Sequence, residues 1–289
     1  MILNSNTATN SIETDTVPLH VNLTSYDNVE MLENFDSARF DSYCQNKLEN
    51  CQKHVTFIQN HCDLGSNWQG KICEMGSGNS RLLYRLEREN LLQTGLGIEI
   101  SPSRHQFAEA FKAHIGSKKV TNVNENIFDF APPQQCDLLL GVDIALQLMT
   151  PVAADAEKNL FAWMRKAVKP NGYLILEMWD LHLILKQLEL AAGCLQYWKE
   201  FPESDPFEFI LMQVKQNEDD DLVWKKTFIK RNSLERSYFD NVIRPYSRQR
   251  ITSLLKMSGF GKVDIFDYWN TPGDTNDEGE YIVLAQKTS

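Results

Sequence analysis

From residue 70 onward, short apolar runs alternate with longer segments in which apolar residues recur at helical spacing. The longer segments "SRLLYRLEREN", "SPSRHQFAEAFKAHI" and "AEKNLFAWMRKAVKPNG" predict helices. Buried parallel strands have continuous apolar sequences and need helical crossovers, so the alternation predicts a parallel sheet with helices on both faces. The runs predicted as strands are "KICEM", "TGLGIEI", "VTNVNENIFDF", "CDLLLGVDI" and "GYLILEMWD".

Local signals mark the ends of two of these helices. Ser101 stands before Pro102, and a serine cap followed by proline in the first turn is typical of a helix start. Pro170 and Gly172 follow the segment that begins at residue 156, and we expect its helix to stop there.

Both ends of the chain depart from this alternation. The first thirty or so residues are polar, which predicts a loose tail or a lid. Residues 41–62 have apolar positions at helical spacing and predict one helix of about five turns. After the predicted helix "SRQRITSLLKMSGF", the strands "KVDIFDYW" and "GEYIVLAQK" are joined by a loop alone, so they should pair antiparallel.

The segment between Asp180 and Arg244 is unlike the rest of the chain. Its runs "FEFILMQVK" and "LVWKKTFIKR" alternate apolar and polar residues and are joined by the acidic turn "QNEDDD". This pattern predicts a helix and a small antiparallel sheet, inserted as a cap over the main sheet.

Length and composition indicate a soluble globular protein. A chain of 289 residues with 42% hydrophobic content can bury a full core. It has no run of about 18 apolar residues and no basic-then-apolar start, so we expect neither a spanning helix nor a signal peptide. The six cysteines include no C-x-x-C pair, and we expect reduced, mostly buried thiols. These features favour the cytoplasm and no association with a membrane.

The charge of the chain argues against bulk nucleic acid as a partner. A net charge of −10 and a pI near 5.1 repel a phosphate backbone. The basic stretch "WKKTFIKR", followed by "RPYSRQR", is a local exception that could form a rim for an anionic substrate. Such a run is more often the solvated face of a strand, and we favour that interpretation.

The stretch "EMGSGNS" follows the first predicted strand, at the edge where open α/β sheets bind ligands. A dinucleotide site has the form G-x-G-x-x-G. Gly76 and Gly78 match its first two glycines, but Arg81 takes the third place, which argues against a pyrophosphate. Glu74 argues the same way, because a carboxylate there would repel a diphosphate and would suit an ammonium group.

Glu99 ends the second predicted strand, at the position where an acid accepts hydrogen bonds from two ribose hydroxyls. The ligand predicted by these residues has a ribose and a cationic amino end, and it lacks phosphates. Each residue also has a structural alternative when it is taken singly. The glycines could only end a strand, Glu99 could cap the next helix, and Asn126 could be a turn residue.

Together these motifs resemble those of the class I (Rossmann-like, seven-stranded) S-adenosylmethionine-dependent methyltransferases of the small-molecule type. The first motif of that family, acid-x-Gly-x-Gly, is matched by Glu74, Gly76 and Gly78. The resemblance covers roughly residues 66–180 and the two closing strands. It implies an α/β fold with a doubly wound, mostly parallel, seven-stranded sheet whose last strand is antiparallel.

The resemblance also implies a cofactor, S-adenosylmethionine, and a set of residues that hold it. Glu99 would bind the ribose, and Asn126 would contact the adenine with Ile127 beside the ring. Val142 and Asp143 would reach the methionine end. The residues assigned to the cofactor in this way are Glu74, Gly76, Gly78, Glu99, Ile100, Asn126, Ile127, Val142 and Asp143.

On this basis the chain divides into four parts. Residues 1–65 would be an N-terminal tail with lid helices, and residues 66–180 the cofactor-binding α/β core. Residues 181–245 would be the inserted substrate cap. Residues 246–289 would supply the C-terminal helix and the strands that complete the core. A homodimer is compatible with this division.

The catalytic residues are less well marked. Many relatives have a histidine soon after the fourth strand, where this chain has Gln147, so a base there cannot be assumed. His182, directly after the fifth strand, is the best-placed candidate base, with Asp143 and Asp180 as weaker ones. A surface or core role for His182 is as plausible as a catalytic one. No run of acidic and amide residues suited to a divalent metal is present, so we expect metal-independent, in-line displacement.

The acceptor must be inferred from the cap, which is rich in aromatic residues. Some of these rings form the cap's own core, and others could wall a pocket for a small organic acceptor. We favour O-methylation over N- or C-methylation. Two alternatives stay open at this point: a protein or carrier-bound acceptor that meets the basic strand, and a non-catalytic protein that only binds S-adenosylmethionine.

Overall fold

The structure is a computed structural model that describes residues 20–288, apart from residues 28, 64, 66–67, 132–134, 204, 234 and 270–278. The expectation for the first part of the N-terminal tail, residues 1–19, lies outside this range. The described strands are, in chain order, β1 Gly70–Met75, β2 Leu92–Glu99, β3 Val120–Asn124, β4 Cys136–Gly141, β5 Val168–Trp179, β6 Leu195–Glu200, β7 Phe207–Gln216, β8 Leu222–Lys230, β9 Arg236–Ile243, β10 Phe260–Asp267 and β11 Glu280–Lys287.

Seven of these strands form one sheet in the order β10-β11-β5-β4-β1-β2-β3. β1 pairs in parallel with β2 and β4. β2 also pairs in parallel with β3, and β4 with β5. β11 runs antiparallel to both of its neighbours, β5 and β10. The predicted seven-stranded, mostly parallel sheet with an antiparallel last strand is therefore confirmed.

The helices lie between the strands as the apolar spacing predicted. Ser101 accepts a hydrogen bond from the backbone N–H of Arg104 and caps the helix that begins at Pro102, as predicted. The described α-helices are α1 Val21–Thr24, α2 Ser37–Glu49, α3 Gln52–His61, α4 Arg81–Arg88, α5 Pro102–Ile115, α6 Ala145–Met149, α7 Ala156–Ala167, α8 His182–Leu190 and α9 Arg248–Met257.

Two predicted helix boundaries were wrong. The single helix predicted over residues 41–62 is two helices, α2 and α3. A tighter turn separates them, in which Cys51 N–H donates to the carbonyl of Leu48, three residues earlier. This bend lets both Leu48 and Cys51 enter the core. The helix predicted from residue 156 ends at Ala167, ahead of Pro170, because residues 168–172 already belong to β5.

The inserted segment forms α8 and a second sheet of four antiparallel strands in the order β6-β7-β8-β9. This confirms a helix with a small antiparallel sheet. A small apolar cluster joins it to the main sheet, where Ile144 and Leu181 pack with Val214, Leu222 and Trp224.

Apolar side chains cover both faces of the main sheet. One cluster contains Phe57, Tyr84, Phe107 and Trp269, and the other contains Met75, Leu139, Phe161 and Tyr281. All six cysteines are free thiols, and five of them are buried. Among the described residues, no helix has both the length and the apolar composition needed to cross a membrane.

Candidate functional site

A cavity of about 390 Å³ opens at the carboxyl ends of β1, β2, β4 and β5. Its volume is within the range of small-molecule sites, roughly 300–1,000 Å³. Eight of the nine residues that the sequence assigned to a cofactor line it, and Gly78 is the exception. The eight are Glu74, Gly76, Glu99, Ile100, Asn126, Ile127, Val142 and Asp143.

The loop after β1 requires its glycines. Gly76 and Gly78 have φ angles of 63° and 55°, in the left-handed region that other residues rarely adopt. A Cβ atom at Gly76 would lie 3.0 Å from Met149 Cε, and one at Gly78 would collide with the guanidinium of Arg104. A side chain at Gly76 would therefore crowd the cavity, and one at Gly78 would displace Arg104.

The carboxylate of Glu99 is joined to this loop. Gly78 N–H donates to Glu99 Oε2 at 2.7 Å, and Ser101 N–H donates to Oε1 at 2.8 Å. The Glu99 side chain is only 5% exposed and lines the cavity. Each carboxylate oxygen can accept a second hydrogen bond, so the group is held rigidly and can still receive two hydroxyl donors.

Glu74 lies in β1, two residues before Gly76, and is buried, with only 2% of its surface exposed. Its Oε2 atom has no hydrogen-bond partner among the described residues. Burial raises the pKa of this carboxyl to about 8. A buried carboxylate oxygen without a donor is costly, and a cationic donor in the cavity would relieve that cost.

Asp143 follows β4 and forms an ion pair with Arg81, whose Nη2 lies 2.6 Å from Asp143 Oδ2. The Asp143 side chain is 57% exposed, but it faces the cavity. Although the side chain is open to the cavity, the surrounding protein displaces much of its water and so favours the neutral form. The Arg81 guanidinium outweighs this desolvation and lowers the pKa of Asp143. Asp143 and Ile144 both have positive φ angles, 51° and 58°, which is backbone strain of the kind that occurs at functional sites.

Glu177, near the end of β5, is a further acid of this site that sequence reasoning missed. Its Oε2 accepts a hydrogen bond from Asp143 N–H at 2.7 Å, and its Oε1 accepts one from Trp269 Nε1 at 2.8 Å. Burial, followed by the nearby Asp143 carboxylate, raises the pKa of Glu177. A glutamate inside the apolar run "LILEMW" was the available signal.

Asn126 and Ile127 lie beyond β3. Asn126 Oδ1 accepts a hydrogen bond from Phe128 N–H at 3.2 Å, which closes a tight turn. The turn presents Ile127 and Phe128 to the cavity beside Ile98 and Ile100. This part of the wall is apolar and suits a flat aromatic group.

Residues 22–27 and 29–30, the N-terminal segment, lie along the cavity and are fastened at both ends. At one end, Asn22 Nδ2 donates to the carbonyls of Leu148 and Val242, each at 2.6 Å, and Asn22 Oδ1 accepts from Val242 N–H at 2.7 Å. In the middle, the Tyr26 carbonyl accepts a hydrogen bond from Ser101 Oγ at 2.7 Å. Asn22, Leu23 and Tyr26 line the cavity.

At its other end the N-terminal segment is fastened by Glu30. Arg104 Nε lies 3.2 Å from Glu30 Oε2, while Tyr43 Oη and Asn79 Nδ2 donate to Oε1 at 2.8 and 2.7 Å. Arg104 also lies over the ring of Tyr26, with Cζ 5.2 Å from its centroid. No signal in the local sequence links Glu30 to Arg104, because they are distant in the chain.

The cap contributes one of its described residues, Lys226, to the cavity wall. Its aromatic rings mostly pack with each other. Trp224 packs on Trp179, with centroids 5.0 Å apart, and Phe228 stacks on Phe239 at 4.9 Å. The basic strand that we interpreted as a solvated face therefore directs one of its lysines into the cavity.

The structure does not bring His182 to the site. Its side chain is exposed at the start of α8, outside the residues that line the cavity, and Asp180 is also outside them. Of the two residues expected to be catalytic, His182 therefore lies away from the cavity and Asp143 is held by Arg81.

Gln147 has a structural role that accounts for its place after the fourth strand. It is fully buried, and its Nε2 donates to the carbonyls of Trp179 and Arg244 at 3.2 and 3.3 Å. Its Oε1 accepts from Trp179 N–H at 2.7 Å. The side chain joins the end of β5 to the chain that leaves β9.

Several solved structures of methyltransferases resemble this chain. An S-adenosylmethionine-dependent methyltransferase from Clostridium acetobutylicum superposes with a TM-score of 0.68 at 16% identity, covering 88% of this chain and all of the other. CcbJ methyltransferase from Streptomyces caelestis gives 0.66 at 13%, with 83% and 90% of the two chains covered. An amino pentose methyltransferase from Micromonospora echinaspora gives 0.58 at 10%, with 88% and 98% covered.

No protein-family model matches the sequence, and no curated protein matches it in a sequence search. The likeness is thus one of structure. It shows that the chain has the class I methyltransferase fold, which confirms the resemblance predicted from the motifs at the level of the fold.

Proposed function

We propose that the protein is an S-adenosylmethionine-dependent methyltransferase that acts on a small organic acceptor. The observation that carries the proposal is the pair of buried acids beside the glycine loop. Glu74 has an oxygen without a donor, and Glu99 is held by two backbone N–H groups, in one cavity on a methyltransferase fold.

These residues fit the cofactor chemically. The Glu74 carboxylate would accept hydrogen bonds from the ammonium group of the methionine moiety. Glu99 would accept the two ribose hydroxyls, while Ile100 and Ile127 would flank the adenine and Asn126 would supply a polar contact. Val142 and Asp143 would lie at the methionine end. Pyrophosphate would meet carboxylates at several of these positions, which disfavours NAD.

When bound, S-adenosylmethionine supplies an electrophilic methyl group on a sulfonium. The protein then has to align an acceptor with that methyl group and exclude water, since alignment accounts for most of the rate that a positioned pair of reactants gains. The N-terminal segment and Lys226 of the cap form the side of the cavity opposite the strand ends and serve this purpose. No described group of histidine, cysteine, aspartate and glutamate could hold a metal ion, so we propose metal-independent displacement.

The identity of the accepting atom is a separate part of the proposal. The sequence favoured oxygen, and that remains a prediction. Two structures with this fold are an amino pentose methyltransferase and a sugar N-methyltransferase, which makes an amine the first competitor. A carrier-bound acceptor is the second candidate. The exposed side of the basic strand, at Lys225, could meet an acidic carrier. We also propose the cytoplasm as the location, because all six cysteines are free thiols.

Two measurements test the proposal. Isothermal calorimetry should show binding of S-adenosylmethionine and S-adenosylhomocysteine in the micromolar range and no binding of NAD. Radiolabelled S-adenosylmethionine, incubated with the protein and a small-molecule extract of the native host, should yield a labelled small product. NAD binding without S-adenosylmethionine binding would refute the cofactor. Cofactor binding without transfer to extract or to host protein would favour the non-catalytic alternative.

A further inference from the structure

Lys226 is the described residue of the cap that lines the cavity. It lies in the middle of β8, opposite Phe239 of β9 and Met212 of β7. Its Nζ atom is 4.8 Å from the centroid of the Phe239 ring and 5.4 Å from that of Trp224. The amine therefore lies close to two aromatic rings where it reaches the cavity.

The amine is held by Asn241, which is itself hydrogen-bonded to the N-terminal segment. Nζ donates to Asn241 Oδ1 at 2.7 Å, and the fully buried Asn241 donates through Nδ2 to Ser25 Oγ at 3.1 Å. Tyr26 Oη donates to the same Oδ1 atom at 3.4 Å, and its ring lies 5.4 Å from Phe239. Lys226 thus sits where the cap and the N-terminal segment meet over the cavity.

Lys226 differs from the other cations of the cavity wall. Arg81 is paired with Asp143, and Arg104 is paired with Glu30. No carboxylate of the described residues forms an ion pair with Lys226. The hydrogen bond to Asn241 and the two aromatic rings favour the charged amine, but burial outweighs them and lowers the pKa of Lys226 to about 7.

The carboxyl groups that line the cavity lie at the edge of the main sheet where the parallel strands end, and the described residues of the cap supply none of them: they are Glu74, Glu99, Glu125, Asp143, Glu177 and Glu280. Tyr26, which faces Lys226 across Asn241, has a pKa raised to about 12 by burial. Asp143 is paired with Arg81. Burial raises the pKa of Glu177 to about 7, but its carboxylate is bound to Asp143 N–H and Trp269 Nε1 near the end of β5, on the sheet side of the cavity. Glu74 and Glu99 lie at the strand ends with the positions expected of cofactor ligands. A lysine that is partly neutral has a free electron pair and can act as a base.

We propose that Lys226 is the general base of the reaction and takes the proton that the acceptor loses. This inference rests on the proposed function. As the electron pair of the acceptor nitrogen or oxygen forms a bond to the methyl carbon, the carbon–sulfur electron pair stays on sulfur. The acceptor's proton moves to Lys226 Nζ. The positive charge that began on the sulfonium ends on the lysine, so charge and atoms balance.

The first test needs no acceptor. Reductive methylation with ¹³C-formaldehyde labels the lysine amines, and ¹³C NMR follows their titration in the full chain. We expect one resonance that titrates near pH 7, that is missing in Lys226→Arg and that is retained in Lys225→Arg. Lys225 is the matched control, because it is the adjacent residue on the same strand and its side chain is exposed. A Lys226 resonance that titrates near pH 10 would overturn the proposal.

The second test uses methyl transfer from labelled S-adenosylmethionine into the host extract. Lys226→Met and Lys226→Arg should both lower the rate at pH 7.5 by about 10²-fold or more, since arginine cannot give up its proton. The loss should shrink as the pH is raised, because the acceptor then ionises by itself. Lys225→Met should keep the wild-type rate, because Lys225 lies outside the cavity wall and the small-molecule extract contains no carrier protein. A fully active Lys226→Arg would show that positive charge alone is needed and would refute the base.

Cofactor binding separates this inference from the proposed function. Calorimetry should give the same affinity for S-adenosylhomocysteine, within about twofold, in the wild type and in Lys226→Met. Failure of the wild type to bind the cofactor would refute the proposed function, whereas normal binding with an unchanged transfer rate in Lys226→Met would refute the base alone. If the wild type transfers no methyl group to the extract, the lysine titration decides whether Lys226 has the protonation state of a base.

Discussion

Arg104 Nε of α5 lies 3.2 Å from Glu30 Oε2 of the N-terminal segment. This contact joins residues that are far apart in the chain, and Tyr43 and Asn79 complete the shell around the same carboxylate. The segment that lies along the cavity is thus held by a buried charge rather than by apolar packing alone.

Glu30→Gln should lower the free energy of unfolding by about 3 kcal/mol at pH 7, because it leaves Arg104 without its partner. Burial opposes ionisation of Glu30, but Arg104 and its other neighbours lower its pKa below the ordinary value. The carboxylate therefore stabilises the fold above the unfolded-state pKa, and this stability is lost as the pH falls through the folded-state pKa. Urea denaturation at several pH values measures both effects. Glu33→Gln, an exposed acid of the same region, should change little.

Binding of S-adenosylmethionine should release a proton near pH 7. Burial raises the pKa of Glu74 to about 8, so the carboxyl is largely protonated in the free protein and must ionise to accept an ammonium group. Calorimetry in buffers of different ionisation enthalpy measures the released proton, and affinity should rise with pH. Glu74→Gln should remove the proton release and weaken binding by about 1.5–3 kcal/mol. The exposed Glu49→Gln is the control, and proton release that persists in Glu74→Gln would contradict the assignment.

Gly78→Val should abolish cofactor binding. The new side chain would collide with the Arg104 guanidinium and would force a left-handed backbone on a β-branched residue. Gly116→Val separates the two effects, because Gly116 has a similar φ of 70° but open space around its Cβ position. Both variants should lose stability by about 1–3 kcal/mol, and only the first should lose cofactor affinity. Equal losses of affinity would point to a general effect of strain.

Gln147→Glu should destabilise the protein by about 2 kcal/mol or more at neutral pH, since a carboxylate would then face the carbonyls of Trp179 and Arg244. Those carbonyls would raise the pKa of the new acid in the folded state. Stability should therefore recover as the pH falls below that raised value. Thermal denaturation at pH 8 and pH 5 tests this sign. A variant that is equally stable at both would show that Gln147 does not join the two strands.

His182→Ala should change the rate of methyl transfer by less than about threefold, because the side chain is exposed and lies outside the cavity wall. The measurement is the same labelled transfer assay over a range of pH, with Lys226→Met beside it. A loss of about 10²-fold, together with the disappearance of an ionisation from the pH profile, would instead support His182 as the general base.

The features that could be predicted from sequence are those that follow from the order of the strands and helices along the chain. Glu74 and Glu99 end adjacent parallel strands, so their meeting at one sheet edge follows from the strand pattern. The antiparallel last strand follows from the absence of a helical sequence pattern between the two closing strands. The bend between α2 and α3 could not be predicted in this way, because Leu48 and Cys51 are apolar at positions that fit a continuous helix.

The acceptor side of the cavity depended on contacts between distant parts of the chain. Lys226 lies in a basic strand where Lys225 is exposed, and only the docking of the second sheet decides which lysine faces inward. The pairing of Glu30 with Arg104 likewise needs the N-terminal segment to be in place. His182 was proposed from its distance in sequence to the end of β5, yet the first turn of α8 leaves it exposed.

The hydrogen bonds of Gln147 have a consequence for how such a protein can diversify in evolution. All of its contacts with Trp179 and Arg244 are to main-chain atoms, so they are indifferent to the side chains at those positions. The entry and exit of the whole inserted segment are thereby brought together by one residue of the core, and bringing chain ends together costs little more for a long insertion than for a short one. An insertion of different length or sequence could be grafted between the same two points with the strand-end acids undisturbed. Acceptor choice could thus be exchanged as a unit while the cofactor chemistry is inherited intact.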